Sequence, residues 1–189
     1  MVTSRELSLA IYGIWRLARL DRSAVQFFDN TPEAFWRSFN AAVIAAPAYI
    51  LLVLLDGTSN EIEAGFFRIA AVESISYVIG WVLFPLVMIS FTDNAGCGRN
   101  YYRFIAAWNW SIVLQIFVFL GVTAFGASGA LPGVAASFAG LIAVIAILFY
   151  QGFIAHVMLD IRGGPAALIV LIDLILGFGL NLMTHSFLR

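Results

Sequence analysis

Five long apolar stretches divide the chain, over about residues 34–55, 64–91, 101–125, 133–159 and 165–186. Each stretch reaches the ~20 residues that a helix needs to cross ~30 Å of hydrocarbon. The breaks between the stretches are short and hold Gly, Pro, Asn or charged residues. The pattern therefore predicts an all-α protein in which residues 34–189 form an integral membrane bundle of five transmembrane helices.

Residues 1–33 form a different segment, in which polar and apolar positions alternate at helical spacing. Thr3 and Glu6 stand at capping-box spacing and predict a helix start. The polar positions recur every three or four residues: Arg5, Ser8, Tyr12, Arg16 and Arg19. We expect an amphipathic interfacial helix that presents Arg5, Arg16 and Arg19 to anionic lipid, because the stretch is too short and too charged to span. The alternative is a helix that packs on a loop or a partner.

Two prolines mark the first span. Thr31-Pro32-Glu33 combines an N-cap residue, a proline at the first helical position and an acid in the first turn, which predicts a helix start. Pro47 lies inside the same span and predicts a kink.

Composition agrees with the membrane assignment. The chain has 189 residues, of which 62% are hydrophobic and 11% are charged, whereas a soluble domain carries ~25% charged residues. A net charge of −1 gives no basic field for nucleic acid, so no nucleic-acid partner is expected. The partners that we expect are the lipid bilayer, including anionic lipids, and another membrane protein. The single Cys97 excludes an internal disulfide and a cysteine-based zinc site.

The arginines are distributed unevenly between the predicted loops. With the N-terminus in the cytoplasm, eight of the ten arginines fall on the inner side, and Arg68 and Arg189 fall on the outer side. The positive-inside rule therefore predicts a cytoplasmic N-terminus, and five spans then place the C-terminus outside.

Five polar side chains lie at membrane depth and are candidate site residues: Glu73, Tyr77, Asn109, Gln115 and Asp173. An acid near the bilayer centre costs ~2.5–3.5 kcal/mol on insertion scales, so both acids need partners. We expect Tyr77 to donate to Glu73, and we expect the pairs Asn109–Asp173 and Gln115–Glu73. These contacts either form a protonatable path for transport or hold helices together through interhelical hydrogen bonds.

Catalytic and metal-binding patterns do not appear in the sequence. His156 and His185 fall at opposite ends of the bundle, so no metal site is expected, and we expect His156 to pair with Asp160. No nucleophile–base order or phosphate-binding glycine motif stands out, which predicts a protein without enzymatic activity and without a cofactor. Glycines at 121, 126, 140, 177 and 179 are expected to permit close helix contacts.

The order of segments resembles a known family. An amphipathic N-terminal segment leads through Phe27-Phe28-Asp29-Asn30-Thr31-Pro32-Glu33-Ala34-Phe35-Trp36 into five closely spaced spans. This layout resembles the bacterial branch of the Yip family, the five-span Ypt/Rab-interacting membrane proteins. The resemblance implies a scaffold or accessory protein of the bacterial inner membrane. The alternative function is a small proton-coupled transporter or channel that uses Glu73 and Asp173.

Overall fold

A computed structural model describes residues 3–55, 65–128 and 132–188. These residues form helices joined by turns, and no strand occurs among them. In chain order the helices are α1 Ser4–Ala18, α2 Pro32–Ser38, α3 Asn40–Leu55, α4 Phe66–Asn94, α5 Tyr101–Ala127, α6 Gly133–Leu159 and α7 Gly163–Leu188, with 3-10 turns at Arg22–Phe27 and Gly98–Asn100.

Five helical stretches in the described ranges are long and apolar enough to cross a membrane. They are Pro32–Leu55, Phe66–Asn94, Gly98–Ala127, Gly133–Leu159 and Gly163–Leu188. Each overlaps one predicted span, and α1 precedes them all. The all-α membrane architecture with an additional N-terminal helix is therefore confirmed.

Both predicted helix starts are confirmed. The Thr3 hydroxyl accepts from the Glu6 amide at 3.2 Å, and a Glu6 carboxylate oxygen accepts from the Thr3 amide at 2.8 Å, which completes the capping box. Thr31 caps α2 by accepting from the Ala34 amide at 3.2 Å. Each cap satisfies amide groups that the first turn of a helix leaves without partners.

The first span is interrupted at Phe39, between α2 and α3, and α3 continues through Pro47. The hydroxyl of Ser38 donates to the Phe35 carbonyl at 2.6 Å, and the amide of Asn40 donates to the Arg37 carbonyl at 2.9 Å. These side chains satisfy carbonyls that the end of α2 leaves free. The interruption at Phe39 is therefore accompanied by local side-chain hydrogen bonds, and it lies eight residues before Pro47.

The densest packing lies in one half of the bundle. We call the end that holds the first residues of α5 and α7 the inner end, and the opposite end the outer end, after the expected orientation. Residues 104–111 of α5 are all buried, whereas residues 117–128 are half-buried or exposed. The ring of Phe84 stacks on Trp108 with centroids 4.3 Å apart. The inner half is thus a closed core, and the outer half is looser.

Alanines make the close helix contact that glycines were expected to make. Ala41, Ala45 and Ala48 are buried along one face of α3, which packs on α5. A Cβ atom built on Gly121, Gly140, Gly177 or Gly179 would meet nothing within 4 Å. The glycine prediction is therefore wrong at these four positions, while Gly126 does face Ala136 at 3.6 Å.

The N-terminal segment is attached to the bundle rather than separate from it. The apolar face of α1 is covered by α5 and α6, with Ile14 and Leu17 buried. The hydroxyl of Tyr150 donates to the Ile14 carbonyl at 3.0 Å. The side chain of Asn30 accepts from the Arg103 amide at 3.1 Å in the first turn of α5. The buried side of α1 thus contacts protein, as in the alternative of a packed helix, while Leu9 and Ile11 stay exposed. The interfacial position of α1 stays a prediction.

Candidate functional site: a polar cavity at the outer end of the bundle

A cavity of about 420 Å³ opens in the outer half, between α3, α4, α5 and α7. It exists because α7 packs on α4 and α6 and leaves a gap toward α5. Its polar lining residues are Glu73, Ser76, Thr123, Asn181, Thr184 and His185. A volume of this size falls within the ~300–1,000 Å³ range of small-molecule sites.

Glu73 is the acid of this cavity, and its partner is Tyr49. The Tyr49 hydroxyl donates to the Glu73 carboxylate at 3.0 Å, and Glu73 is half-buried. The expected donor Tyr77 instead donates to the Ala42 carbonyl at 2.6 Å. The prediction was wrong because it considered only the helix that carries Glu73, whereas α3 brings Tyr49 against it, with the Tyr49 and Tyr77 ring centroids 4.7 Å apart.

Hydroxyl and amide groups line the rest of the cavity. The hydroxyls of Ser76 and Thr184 lie 2.6 Å apart and join α4 to α7. Asn181 is exposed, and His185 is half-buried near the outer end of α7. Within the described ranges, no three His, Cys, Asp or Glu residues are grouped as a metal site would require. The lining therefore offers neutral hydrogen-bonding groups around one carboxylate and one imidazole.

A second polar group lies deeper, in the closed half of the bundle. The Gln151 amide of α6 donates to the Asp173 carboxylate of α7 at 3.0 Å and lies 3.4 Å from the Gln115 side-chain oxygen of α5. The Gln115 amide then donates to the Ser111 hydroxyl at 3.1 Å. We call these four residues the inner polar chain. Gln151 was not among the predicted site residues. Its polar side chain among apolar neighbours in a predicted span could have indicated a buried hydrogen-bonding role.

Asn109 does not belong to the inner polar chain. Its amide donates to the Ser38 hydroxyl at 2.9 Å, and both side chains are buried. The expected Asn109–Asp173 and Gln115–Glu73 pairs are therefore wrong. Counting residues along each helix places Asn109 at the depth of Asp173 and Gln115 at the depth of Glu73. Such a count does not show which helices are neighbours or which face of a helix a residue occupies.

The cavity and the inner polar chain are one helical turn apart. Asp173 and Gly177 lie four residues apart on α7, as Gln115 and Phe119 do on α5, and Gly177 and Phe119 both line the cavity. Residues four apart share a helix face and are separated by about 6 Å of rise. Gln115 and Asp173 of the inner polar chain thus lie on the same faces of α5 and α7 that line the cavity, one turn closer to the inner end. Phe119 lies one turn above Gln115.

The three predicted surface arginines of α1 have different environments. Arg5 is exposed, and Arg19 is exposed with its guanidinium 4.3 Å from the Trp15 ring centroid. Arg16 forms an ion pair with Asp21. Hydrogen bonds from Ser23 and then from Arg16 lower the pKa of Asp21 below its ordinary value. Arg16 therefore fixes the end of α1, and Arg5 and Arg19 are the freer cations.

Comparison with known proteins adds no relative from which a role could be transferred: the chain matches no protein-family model, no curated protein and no solved structure. The geometry of the cavity and of the inner polar chain is therefore what bears on function.

Proposed function

We propose that the protein moves protons across the membrane, alone or coupled to a small polar or cationic solute, and that the outer cavity is the entry site. The observation that carries the proposal is that a cavity of about 420 Å³, lined by four helices, reaches Glu73. A carboxylate among hydroxyl and amide groups suits a proton or a small cation more than an anion.

The energetics of Glu73 support a functional role. Glu73 lies seven residues after Phe66, the first residue of α4, or about 10 Å of helix rise. An acid at such depth costs up to ~2.5–3.5 kcal/mol on insertion. An interhelical hydrogen bond such as Tyr49–Glu73 contributes only ~0.6 kcal/mol on average. The Tyr49 hydrogen bond alone does not offset a cost of that size, whereas hydration from the cavity lowers the cost and leaves the acid accessible for proton transfer.

The inner polar chain supplies a second acid for the same path. Asp173 is bonded to Gln151 and lies one turn from the cavity-lining Gly177. In this proposal Glu73 takes up protons at the outer end and Asp173 accepts them in the closed half. Phe119, which lines the cavity beside Glu73, lies one turn above Gln115 on α5.

Proton flux into liposomes tests this function. The protein is reconstituted into vesicles that contain a pH-sensitive dye, and a potassium gradient with valinomycin sets an inside-negative potential. We expect acidification well above that of empty vesicles, and we expect Glu73→Gln to reduce the rate at least tenfold. Glu33→Gln, which alters an exposed acid on α2, is the matched control and should leave the rate unchanged. Equal rates for wild type and Glu73→Gln would contradict the proposal.

A second candidate function is the Yip-like scaffold or accessory role without catalytic activity, in the inner membrane of a bacterium with the N-terminus cytoplasmic. The observation that favours it is the exposed surface of α1 and α2, which presents Arg5, Arg19 and Trp36 away from the bundle. Purification in mild detergent tests it. A partner membrane protein that is retained by wild type and by Glu73→Gln, but lost on Trp36→Ala, supports the scaffold role independently of the cavity.

A further inference from the structure

A second cavity lies on the inner half of the bundle and differs from the first in its chemistry. It is a groove of about 650 Å³ between α6 and α7, and Leu20 also lines it. Its walls are apolar and include Phe149, Phe153 and Val170. Gly152 in the lining leaves room, because a Cβ atom there would meet only Val170, at 3.8 Å.

A polar group forms the mouth of this groove. His156 lines it, and the Nδ1 atom of His156 is bonded to the Ile161 carbonyl, which makes Nδ1 the protonated nitrogen. The Nε2 atom then accepts from the Arg22 guanidinium at 3.1 Å. The expected pairing of His156 with Asp160 is wrong, since Asp160 ends α6 in the left-handed conformation and lies 3.8 Å from Arg99.

Arg22 is a cation without an acidic partner in the described part of the chain. The ion pairs found there join Arg16 to Asp21, Arg37 to Glu6 and Arg99 to Asp160. Arg22 does not itself line the groove, but it is exposed and bonded to the lining residue His156. The first turn of α7, which begins at Gly163, borders the same groove. The amide groups of a first turn favour a negative group as well. The mouth is therefore complementary to an anion.

We propose that this groove binds one acyl chain of an anionic phospholipid whose phosphate group pairs with Arg22. The groove extends along α6 from His156 to Ile145, eleven residues, or about 16 Å of rise. That length matches one leaflet of a ~30 Å hydrocarbon core. An apolar groove of leaflet depth with a cation at its surface end has the shape and charge of a single lipid site. This inference is independent of the proposed transport function.

Native mass spectrometry of the full-length protein in detergent tests the site. The protein is titrated with phosphatidylglycerol or with phosphatidylcholine of the same acyl chains. We expect one tightly retained phosphatidylglycerol, and we expect Arg22→Gln to weaken its retention about five- to tenfold while leaving phosphatidylcholine unchanged. Arg5→Gln removes an exposed cation that, unlike Arg22, forms no hydrogen bond to any of the described residues lining the groove, and it should have no effect.

Two further variants separate the groove from the headgroup contact. Ala167→Leu places a larger side chain at an exposed lining position and should weaken retention of both lipids. Gly152→Ala adds a methyl group at ordinary contact distance and should preserve the fold. Equal retention of phosphatidylglycerol by wild type, Arg22→Gln and Arg5→Gln would overturn the proposal. A dimer that dissociates on Ala167→Leu would also overturn the proposal, because the groove would then hold a second copy of the chain. Displacement of the lipid by inorganic phosphate alone would overturn it as well.

Discussion

The contact between Asp173 and Gln151 was not foreseen from the sequence, and a double-mutant cycle can measure it. Asp173→Leu deprives the Gln151 amide of its 3.0 Å acceptor and leaves only the 3.4 Å contact with Gln115. Interhelical hydrogen bonds in membrane proteins average ~0.6 kcal/mol and reach ~1.7 kcal/mol. Because Gln151 is 5% exposed, little water can replace the lost partner. We expect a coupling energy of ~0.6–1.7 kcal/mol between Asp173→Leu and Gln151→Leu.

The assay is reversible unfolding in mixed micelles, titrated with sodium dodecyl sulfate. A control cycle combines Asp173→Leu with Asn109→Leu, and it should be additive within ~0.3–0.5 kcal/mol because Asn109 bonds Ser38 instead. Asp173→Asn keeps an acceptor oxygen for Gln151 and should retain most of the stability. The reasoning is refuted if the Asn109 cycle shows the larger coupling, or if Asp173→Asn unfolds as readily as Asp173→Leu.

Three further predictions concern other regions. The pKa of Asp21 is lowered by Ser23 and Arg16, so its stabilising contribution is present above the ordinary pKa of 3.8 and is lost as the pH falls through the lower folded value. The protection of the last α1 amides against hydrogen exchange, relative to their intrinsic rates at the same pH, should therefore fall on acidification below that range, and Asp21→Asn should abolish this fall. Burial raises the pKa of the Cys97 thiol, so maleimide labelling at neutral pH should be much slower than after unfolding. Cysteines introduced at positions 58–62 should react from the outer side of the membrane, and cytoplasmic labelling there would contradict the predicted orientation.

The helices were predictable because their signals are local. Apolar runs of sufficient length and polar caps such as Thr3 and Thr31 depend only on neighbours in the sequence. All five predicted spans and both capped starts were therefore confirmed. The predicted start of the second span and the Asp56–Glu63 loop lie outside the described residues.

Contacts between helices were not predictable in the same way. Glu73 and Asp173 were recognised from the cost of burying an acid, but their partners Tyr49 and Gln151 lie on other helices. Which side chains become partners depends on which helices are neighbours and on how each helix is rotated about its axis. A span that is apolar on all sides has no hydrophobic face from which this rotation could be deduced. The same reason explains why Asn109 was assigned to Asp173 instead of Ser38.

The central claim is that the aqueous cavity that holds Glu73 extends from the outer end of the bundle to Gly177, one turn from Asp173, and cysteine accessibility tests it most directly. Gly177 lines the cavity eleven residues before the end of α7 at Leu188, at about 16 Å of rise. Its neighbour Phe178 lies at nearly the same depth, is 67% exposed and does not line the cavity. In a Cys97→Ala background, a charged, membrane-impermeant thiosulfonate should modify Gly177→Cys at least tenfold faster than Phe178→Cys. Equally slow modification of both cysteines would show that no aqueous cavity reaches this depth and would contradict the account.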